Sequence, residues 1–526
     1  MTDTLESLIG ETLIFGLPGP RATRDDILFF RETHAAGLIL FRINFRSPTQ
    51  IRALLQDMEQ ALGRRLLVTV DHEGGRVIMF QSGVTVFPDN LAFGRYGKTS
   101  AARAEGTIEG RELRRLGMDV SFSPTVDVLT KAFSPNIGIR SYGPDPEIVA
   151  RLATARIRAL QNEGVSGCAK HFPGLGPATR DPHLDLPVIP VKWREWRKHH
   201  LIPFQAAIQA GVDMVMSSHP LYPNLDPHPK TPATFSRRLI TDVLRKELDF
   251  RGVVASDDLE MGALRGLAPV GRAAVLAARA GHDLILCCHK RDLQRDVFRN
   301  LRDAYVSGEL KIKDLERSVE RLRALRGRNR TRFAPGVPCS ERSGAPLAET
   351  VAQGAVNVRE GRQPLPIRIG GPFQILFPRL SDLAKTIMIE PALCQEKTFL
   401  RKCIPPSSSA RIHLLTINPN QEEIRTAVQK SESCAATIFF CYDAHLQPGN
   451  YKLLKILEKK IRSLVVVLMR DPYDEEFSKP STTIVNAFGF RQVQLEACLK
   501  KIFSSDSPLG SPMREKATER RQKGFR

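Results

Sequence analysis

Up to about residue 335, short apolar runs rich in β-branched residues alternate with longer segments whose apolar positions recur at helical spacing. The short runs are "TLIFGLPG" from 12, "AAGLILFR" from 35, "LLVTVDHE" from 66, "MDVSFSPTVDV" from 118, "VSGCAKHF" from 165, "VDMVMSSHP" from 212, "GVVASDDLE" from 252 and "HDLILCC" from 282. Between them lie amphipathic stretches such as "PTQIRALLQDMEQALGRR" and "PEIVARLATARIRALQNEG". Eight strands separated by helices predict an α/β fold with the strand count of a (β/α)8 TIM barrel. A doubly wound open sheet has the same alternation. The polar positions favour the barrel: Asp71, Asp127, His171, His219 and Asp257 each fall at or just past the C-terminal end of a different strand. That rim is where barrel enzymes assemble their sites.

The alternation breaks over 336–365, a stretch with Pro, Gly and Ser that reads as a linker containing one helical segment. It resumes with "PFQILFP", "RIHLLTI", "AATIFFCYD", "SLVVVLMRDPYD" and "STTIVNAFGF". The chain therefore divides into a barrel domain over 1–335, the linker, and a second, smaller α/β domain over 366–505. Residues 506–526 read as a basic disordered tail, with six Lys/Arg against two Asp/Glu in "SPMREKATERRQKGFR".

Composition narrows the setting. The 526 residues are 42% hydrophobic and 25% charged, ordinary for a globular protein. No run is long and apolar enough for a membrane span. The N-terminus has Asp3 and Glu6 where a secretory signal is positive, and Gly10, Glu11 and Thr12 break its apolar stretch. Nine cysteines lack any C-x-x-C pair, and adjacent Cys287 and Cys288 read as buried small hydrophobes. A cytoplasmic protein is expected. The net charge of +20 raises the question of nucleic acid. Part of the excess lies in 311–333, with nine Lys/Arg against three Asp/Glu, which reads as the solvated face of a helix. With no nucleic-acid motif beside it, nucleic acid is not an expected partner.

The densest candidate chemistry lies in "KHFPGLGPATRDPHLDLP", residues 170–187, where prolines and glycines exclude a helix and shape a loop. Asp181, two residues before His183, can accept the imidazole Nδ1–H and leave Nε2 for proton transfer. Such a pair also serves simply to hold a loop together. Asp257 follows a buried strand that would hold its carboxylate rigidly, while adjacent Asp258 is free to cap what comes next. A carboxylate nucleophile facing a proton-transfer group is the layout of a retaining glycosidase. Metal binding is the competing use of His171, Asp181 and His183; no metal-ligand signature supports it, and no cofactor is expected. Arg140, on a loop ahead of a helix opened by Pro144-Asp145-Pro146, suits a sugar hydroxyl or a structural ion pair equally.

"DHEGGRV", "NIGIRSYGPDP", "KHFPGLG…DPH" and "SDDLEM", in this order, resemble glycoside hydrolase family 3, specifically its bacterial β-N-acetylglucosaminidases. "RDPYD" and "NAFGF" resemble the α/β sandwich that follows the barrel in two-domain members. The resemblance implies removal of terminal β-linked N-acetylglucosamine, with muropeptide fragments from cell-wall recycling as substrate, through a covalent glycosyl-enzyme. It assigns Asp257 as nucleophile, His183 as acid then base, Asp181 as its orienting partner, and Asp71, Arg140, Lys170 and His171 as sugar ligands. Three positions depart from the family pattern: Leu175 replaces a histidine, Pro182 replaces a serine, and Met79 stands where an arginine is common. The alternatives are a family 3 β-glucosidase, a glycoside phosphorylase, or a sugar-binding protein without catalysis.

Overall fold

All eight apolar runs of the first half form strands: β1 (Leu13–Gly16), β2 (Gly37–Leu40), β3 (Leu67–Val70), β4 (Val120–Ser121), β5 (Cys168–Phe172), β6 (Met214–Ser217), β7 (Val253–Ala255) and β8 (Ile285–Cys287). The computed structural model describes residues 4–332, 343–367, 371–406 and 408–503, so the expected tail and residues 336–342 of the expected linker lie outside the described residues. Every ladder among these strands is parallel. The strands form two runs, β4-β3-β2-β1-β8 and β5-β6-β7. Bridges Val120–Ser166 and Thr125–Lys170 join them on one side and Ala255–Leu284 on the other, which closes the ring.

Alternation along each strand separates the two apolar layers. Ile14, Ile39, Leu67, Val120, Cys168, Met214, Val253 and Leu286 fill the barrel interior, while Phe15, Leu38, Val68 and Cys287 face the surrounding helices. Cys287 and Cys288 fall on opposite layers, both buried and unbridged. The helix Ile312–Arg332 closes the N-terminal end, where Leu322 and Leu325 join the interior cluster. Its basic residues lie on a solvated or half-buried face, as the sequence suggests, and three of them also pair with acids of the barrel. Arg321 reaches Asp283 at 3.0 Å, Arg328 reaches Asp213 at 3.0 Å, and Arg323 pairs with Glu11, all on segments leading into strands.

One pair of outer helices supports the loop after β3. Thr99–Leu116 packs on Pro146–Asn162, the latter capped by Asp145, whose side chain accepts from the backbone of Glu147 and Ile148. Gly106 permits the approach: a Cβ there would lie 2.4 Å from the Arg156 carbonyl oxygen. Fully buried Arg156 then meets Glu105 at 3.1 Å and Glu109 at 2.8 Å, and donates at 2.8 Å to the carbonyl of Glu73 in that loop.

The second sheet comprises β9 (Asn357–Arg359), β10 (Phe373–Pro378), β11 (Ala410–Leu415), β12 (Ala436–Cys441), β13 (Leu464–Leu468) and β14 (Thr483–Asn486), in the order β11-β10-β12-β13-β14-β9. Apolar clusters cover both faces, one around Ile375, Phe440 and Val467 and one around Leu376, Phe439 and Val466, so this is an α/β sandwich. The stretch expected as linker is structured from 344 onward. Ala345–Ala355 is a helix, and β9 pairs antiparallel with β14, so the sheet begins at 357 and not at 366. Three half-exposed residues on a sheet edge carry too little apolar pattern to be read as a strand. Among the described residues no helix is long and apolar enough to cross a membrane.

Two helical glycines should respond oppositely to alanine. Propensity alone favours alanine by about 1 kcal/mol. At Gly327, with nothing within 4 Å of a Cβ, Gly327→Ala should raise the urea midpoint. At Gly106 the clash is with backbone, and Gly106→Ala should lower the midpoint by a net loss of about 1–3 kcal/mol.

Candidate active site

A cleft of about 440 Å³ opens over the C-terminal ends of the barrel strands, and its wall contains all seven candidates: Asp71, Arg140, Lys170, His171, Asp181, His183 and Asp257. They come from β5 itself and from the segments after β3, β4, β5 and β7, which are far apart in the chain.

The floor is a cage of paired charges. Lys170, buried at the end of β5, meets Asp71 at 2.6 Å and Glu73 at 2.7 Å. Glu73 is forked by Arg140, which donates from Nε at 2.8 Å and from Nη2 at 2.7 Å. Arg140 also donates from Nη1 to the Asn136 side-chain oxygen at 2.9 Å, and its Nη2 lies 3.3 Å from His171 Nε2. His171 Nδ1 lies 2.7 Å from buried Asp127, whose other oxygen accepts the Leu175 backbone N–H at 2.5 Å. Burial alone would push the Glu73 carboxyl up. The Arg140 guanidinium and Lys170 ammonium outweigh it and hold Glu73 well below the ordinary carboxylate range. Burial likewise works to lower Lys170, but Asp71 and Glu73 keep its ammonium above the ordinary lysine value.

The dyad is built differently. Asp181 Oδ1 accepts from the His183 backbone N–H at 2.9 Å and from Nδ1 at 2.7 Å, which fixes the tautomer and leaves Nε2 free. The His183 side chain is 58% exposed, whereas that of Lys170 is 3% exposed. Its loop rests on the segment after β7: Ala263 N–H donates to the Pro182 carbonyl at 2.9 Å and Gly262 N–H to that of His183 at 3.2 Å. A Cβ on Gly262 would stand 2.4 Å from the His183 carbonyl oxygen, so glycine permits this contact. The hydrogen bond to Asp181 holds His183 above its ordinary value, against the opposing effect of burial. For Asp181, burial works upward and the hydrogen bonds from His183 outweigh it, leaving it below the ordinary range.

Asp257 accepts the Asp258 backbone N–H at 2.9 Å. Burial pushes its carboxyl up, but the imidazoles of His219, His171 and His183, with Lys170, bring it below the ordinary value. Asp258 is occupied elsewhere, with His289 at 3.3 Å and the backbone of Cys288 at 3.2 Å. The cleft thus offers an ionised carboxylate, an imidazole with one nitrogen committed and one free, and a donor-rich floor. This equipment suits nucleophilic attack with proton transfer onto a polyhydroxylated ligand.

Several residues escaped the sequence reading. Glu73 lies inside the quoted "DHEGGRV" but gave no sign of being the partner of both Lys170 and Arg140. Asp127 was placed at a strand end without its role as anchor of His171. Thr386, Ile387 and Met388 of the second domain line the cleft, beside Arg42, which donates to the Ala384 carbonyl at 2.9 Å. From the same domain, fully buried Arg491 donates to the Gly75 carbonyl at 2.6 Å and pairs with Glu390 at 2.8 Å. No periodicity or motif marked these long-range contacts. The departures are accommodated: Leu175 joins the core, the Pro182 carbonyl takes the Ala263 bond, and Met79 lines the cleft.

The dyad has a direct spectroscopic test. The His183 imidazole should titrate above 6.5 by NMR, and Asp181→Asn should bring it down, since the largest cause of the shift is lost. A folded-state value raised this way contributes stability below pH about 6.5, and the contribution fades as pH rises through the folded-state value.

Comparison with known proteins identifies the family. Residues 14–325 match the glycosyl hydrolase family 3 N-terminal domain. The β-hexosaminidase of Stenotrophomonas maltophilia strain K279a is 36% identical over 283 residues, 53% of this chain and 83% of that protein. The structure of a glycoside hydrolase family 3 β-N-acetylglucosaminidase from Paenibacillus sp. str. FPU-7 superposes with a TM-score of 0.88 at 31% identity, covering 95% of this chain and 96% of that one. A β-glucoside phosphorylase shares the fold at 19% identity, with a TM-score of 0.79 over 96% of this chain and 92% of its own. With its family 3 domain match spanning the barrel strands and all seven candidate residues, the chain belongs to glycoside hydrolase family 3.

Proposed function

We propose that the protein is a retaining exo-β-N-acetylglucosaminidase that removes non-reducing terminal N-acetylglucosamine from β-linked glycosides. The observation that carries this reading is the meeting of Asp257, the Asp181–His183 dyad and the Lys170–Arg140–His171 cage in one cleft. The names borne by its relatives, a β-hexosaminidase and a β-N-acetylglucosaminidase, point to the same substrate class. Muropeptide fragments in the cytoplasm are the natural substrates we infer, within peptidoglycan recycling.

In the first step Asp257 attacks the anomeric carbon while His183 Nε2–H protonates the departing oxygen, giving a glycosyl ester and the free aglycone. In the second, His183, now neutral, takes a proton from water as that water attacks the anomeric carbon and releases Asp257. Asp181 stabilises the imidazolium needed at the start, and the depressed pKa of Asp257 keeps the nucleophile ionised alongside it. Asp71, Lys170, Arg140 and His171 hold sugar hydroxyls through groups already fixed by their own pairing, so little order is lost on binding.

Asp257→Ala should abolish turnover with the fold retained, and a fluorinated N-acetylglucosamine analogue that keeps the 2-acetamido group should label wild-type enzyme on the peptide containing Asp257. Label on Asp258 would refute the assignment. The proton-transfer role has its own test. His183→Ala should slow a natural disaccharide by about 10²–10⁴-fold and an activated aryl glycoside far less in its first step, because a good leaving group needs no proton. With water activation also lost, the aryl substrate should give a burst followed by slow turnover as the ester accumulates. Equal losses on both substrates without a burst would remove His183 from the chemistry. Running these assays with and without phosphate separates hydrolysis from phosphorolysis, and a phosphate requirement would count against the hydrolase.

A further inference from the structure

Where the second domain meets the barrel lies a cluster that is not among the residues lining the cleft and that the reaction does not use. Asp443 and His445 follow β12 and Asp471 follows β13, with ligand atoms all within 4.8 Å of one another. The surroundings of His445 are specific. Its Nδ1 lies 2.8 Å from Asp474 Oδ1, and that carboxylate also accepts the backbone N–H groups of Ala444 at 2.6 Å and His445 at 3.1 Å. Donation from Nδ1 leaves Nε2 facing Asp471, 3.6 Å from its Oδ2. Nε2, both carboxylate oxygens of Asp471 and Oδ1 of Asp443 are buried without a hydrogen-bond partner. Leaving such groups unsatisfied is costly, and a cation among them would satisfy all four, whereas the neighbouring unpaired Arg470 Nε and Nη2 offer only two donors.

We propose that Asp443, His445 and Asp471 bind a divalent transition-metal ion such as zinc, with Asp474 orienting the histidine. A carboxylate holding the far nitrogen of an imidazole is the usual support of a metal-ligating histidine. Bonds of 2.0–2.2 Å in a tetrahedral shell separate ligand atoms by about 3.4 Å, close to the observed His445–Asp471 spacing. The charges permit it: Asp443, Asp471 and Asp474 outnumber Arg470, which takes the other oxygen of Asp443, and nearby Arg76. The ion has a structural place. Phe133 packs on the His445 ring at 4.9 Å, and a Cβ on Gly138 would lie 2.8 Å from Asp471 Oδ1. Both belong to the barrel loop that carries Asn136 and Arg140 into the cleft, so the ion ties the second domain to the segment presenting Arg140.

The test is metal uptake by the full chain after chelator treatment and dialysis against zinc. One equivalent should remain bound in wild type and in His183→Ala, and a chelator should lower the melting temperature of both. Asp471→Asn and His445→Gln should each lose the ion, and Asp474→Asn should weaken binding by about 10–100-fold. If either ligand variant fails to fold, wild type loaded with cobalt(II) answers instead: d–d bands and an X-ray absorption shell of one imidazole with oxygen ligands support the site. No uptake by wild type would leave His445 as an imidazolium between two aspartates and overturn the proposal. So would loss of zinc in His183→Ala with retention in His445→Gln, which would place the ion in the cleft.

Discussion

Glu73 is a buried carboxylate, and the rest of the cleft is arranged around that constraint. A buried carboxylate persists ionised only if cations meet it, and Lys170 does so from the end of β5 and Arg140 from the long loop after β4. The cage of Asp71, Glu73, Lys170 and Arg140 balances two negative charges with two positive ones. A neutral sugar can therefore enter without upsetting the charge balance. Removing one member of such a set leaves its partner buried and uncompensated, at about 3–5 kcal/mol. The backbone that carries Glu73 is itself held by Arg156, so the packing of two outer helices reaches the floor of the cleft.

Above this rigid floor the dyad is lightly held. Its loop touches the segment after β7 through two backbone hydrogen bonds, and the His183 side chain stands largely in solvent. The division suits a two-step reaction. Groups that hold hydroxyls gain from being fixed in advance, whereas a group that must serve a leaving oxygen and then a water gains from freedom to move. The mutual pull of Asp181 and His183 keeps orientation within that freedom, because the pair travels together on one short loop.

The second domain is more than an appendage. Arg491 reaches into the glycine turn after β3, Arg42 reaches back to the 384–385 turn, and 386–388 complete one wall of the cleft. Some of the chain's basic residues are used within the fold. Arginines of the last barrel helix pair with acids at the closed end of the barrel, an internal use for charge that composition alone assigns to partners.

By itself the sequence determined the eight barrel strands, the existence of the second domain and the seven candidate residues, because each rests on local information. Strand periodicity, glycine and proline placement, and short motifs are written within a few residues of one another. The short edge strand at 357–359 escaped because an edge needs little apolar pattern. The tertiary structure alone decided which charges meet. Nothing near Glu73 in the chain reveals that it answers Lys170 and Arg140, and nothing in "NAFGFRQ" reveals that Arg491 will seat against Gly75. Pairing of buried charges is a property of positions in space, and burial, which makes pairing obligatory, exists only once the chain has folded.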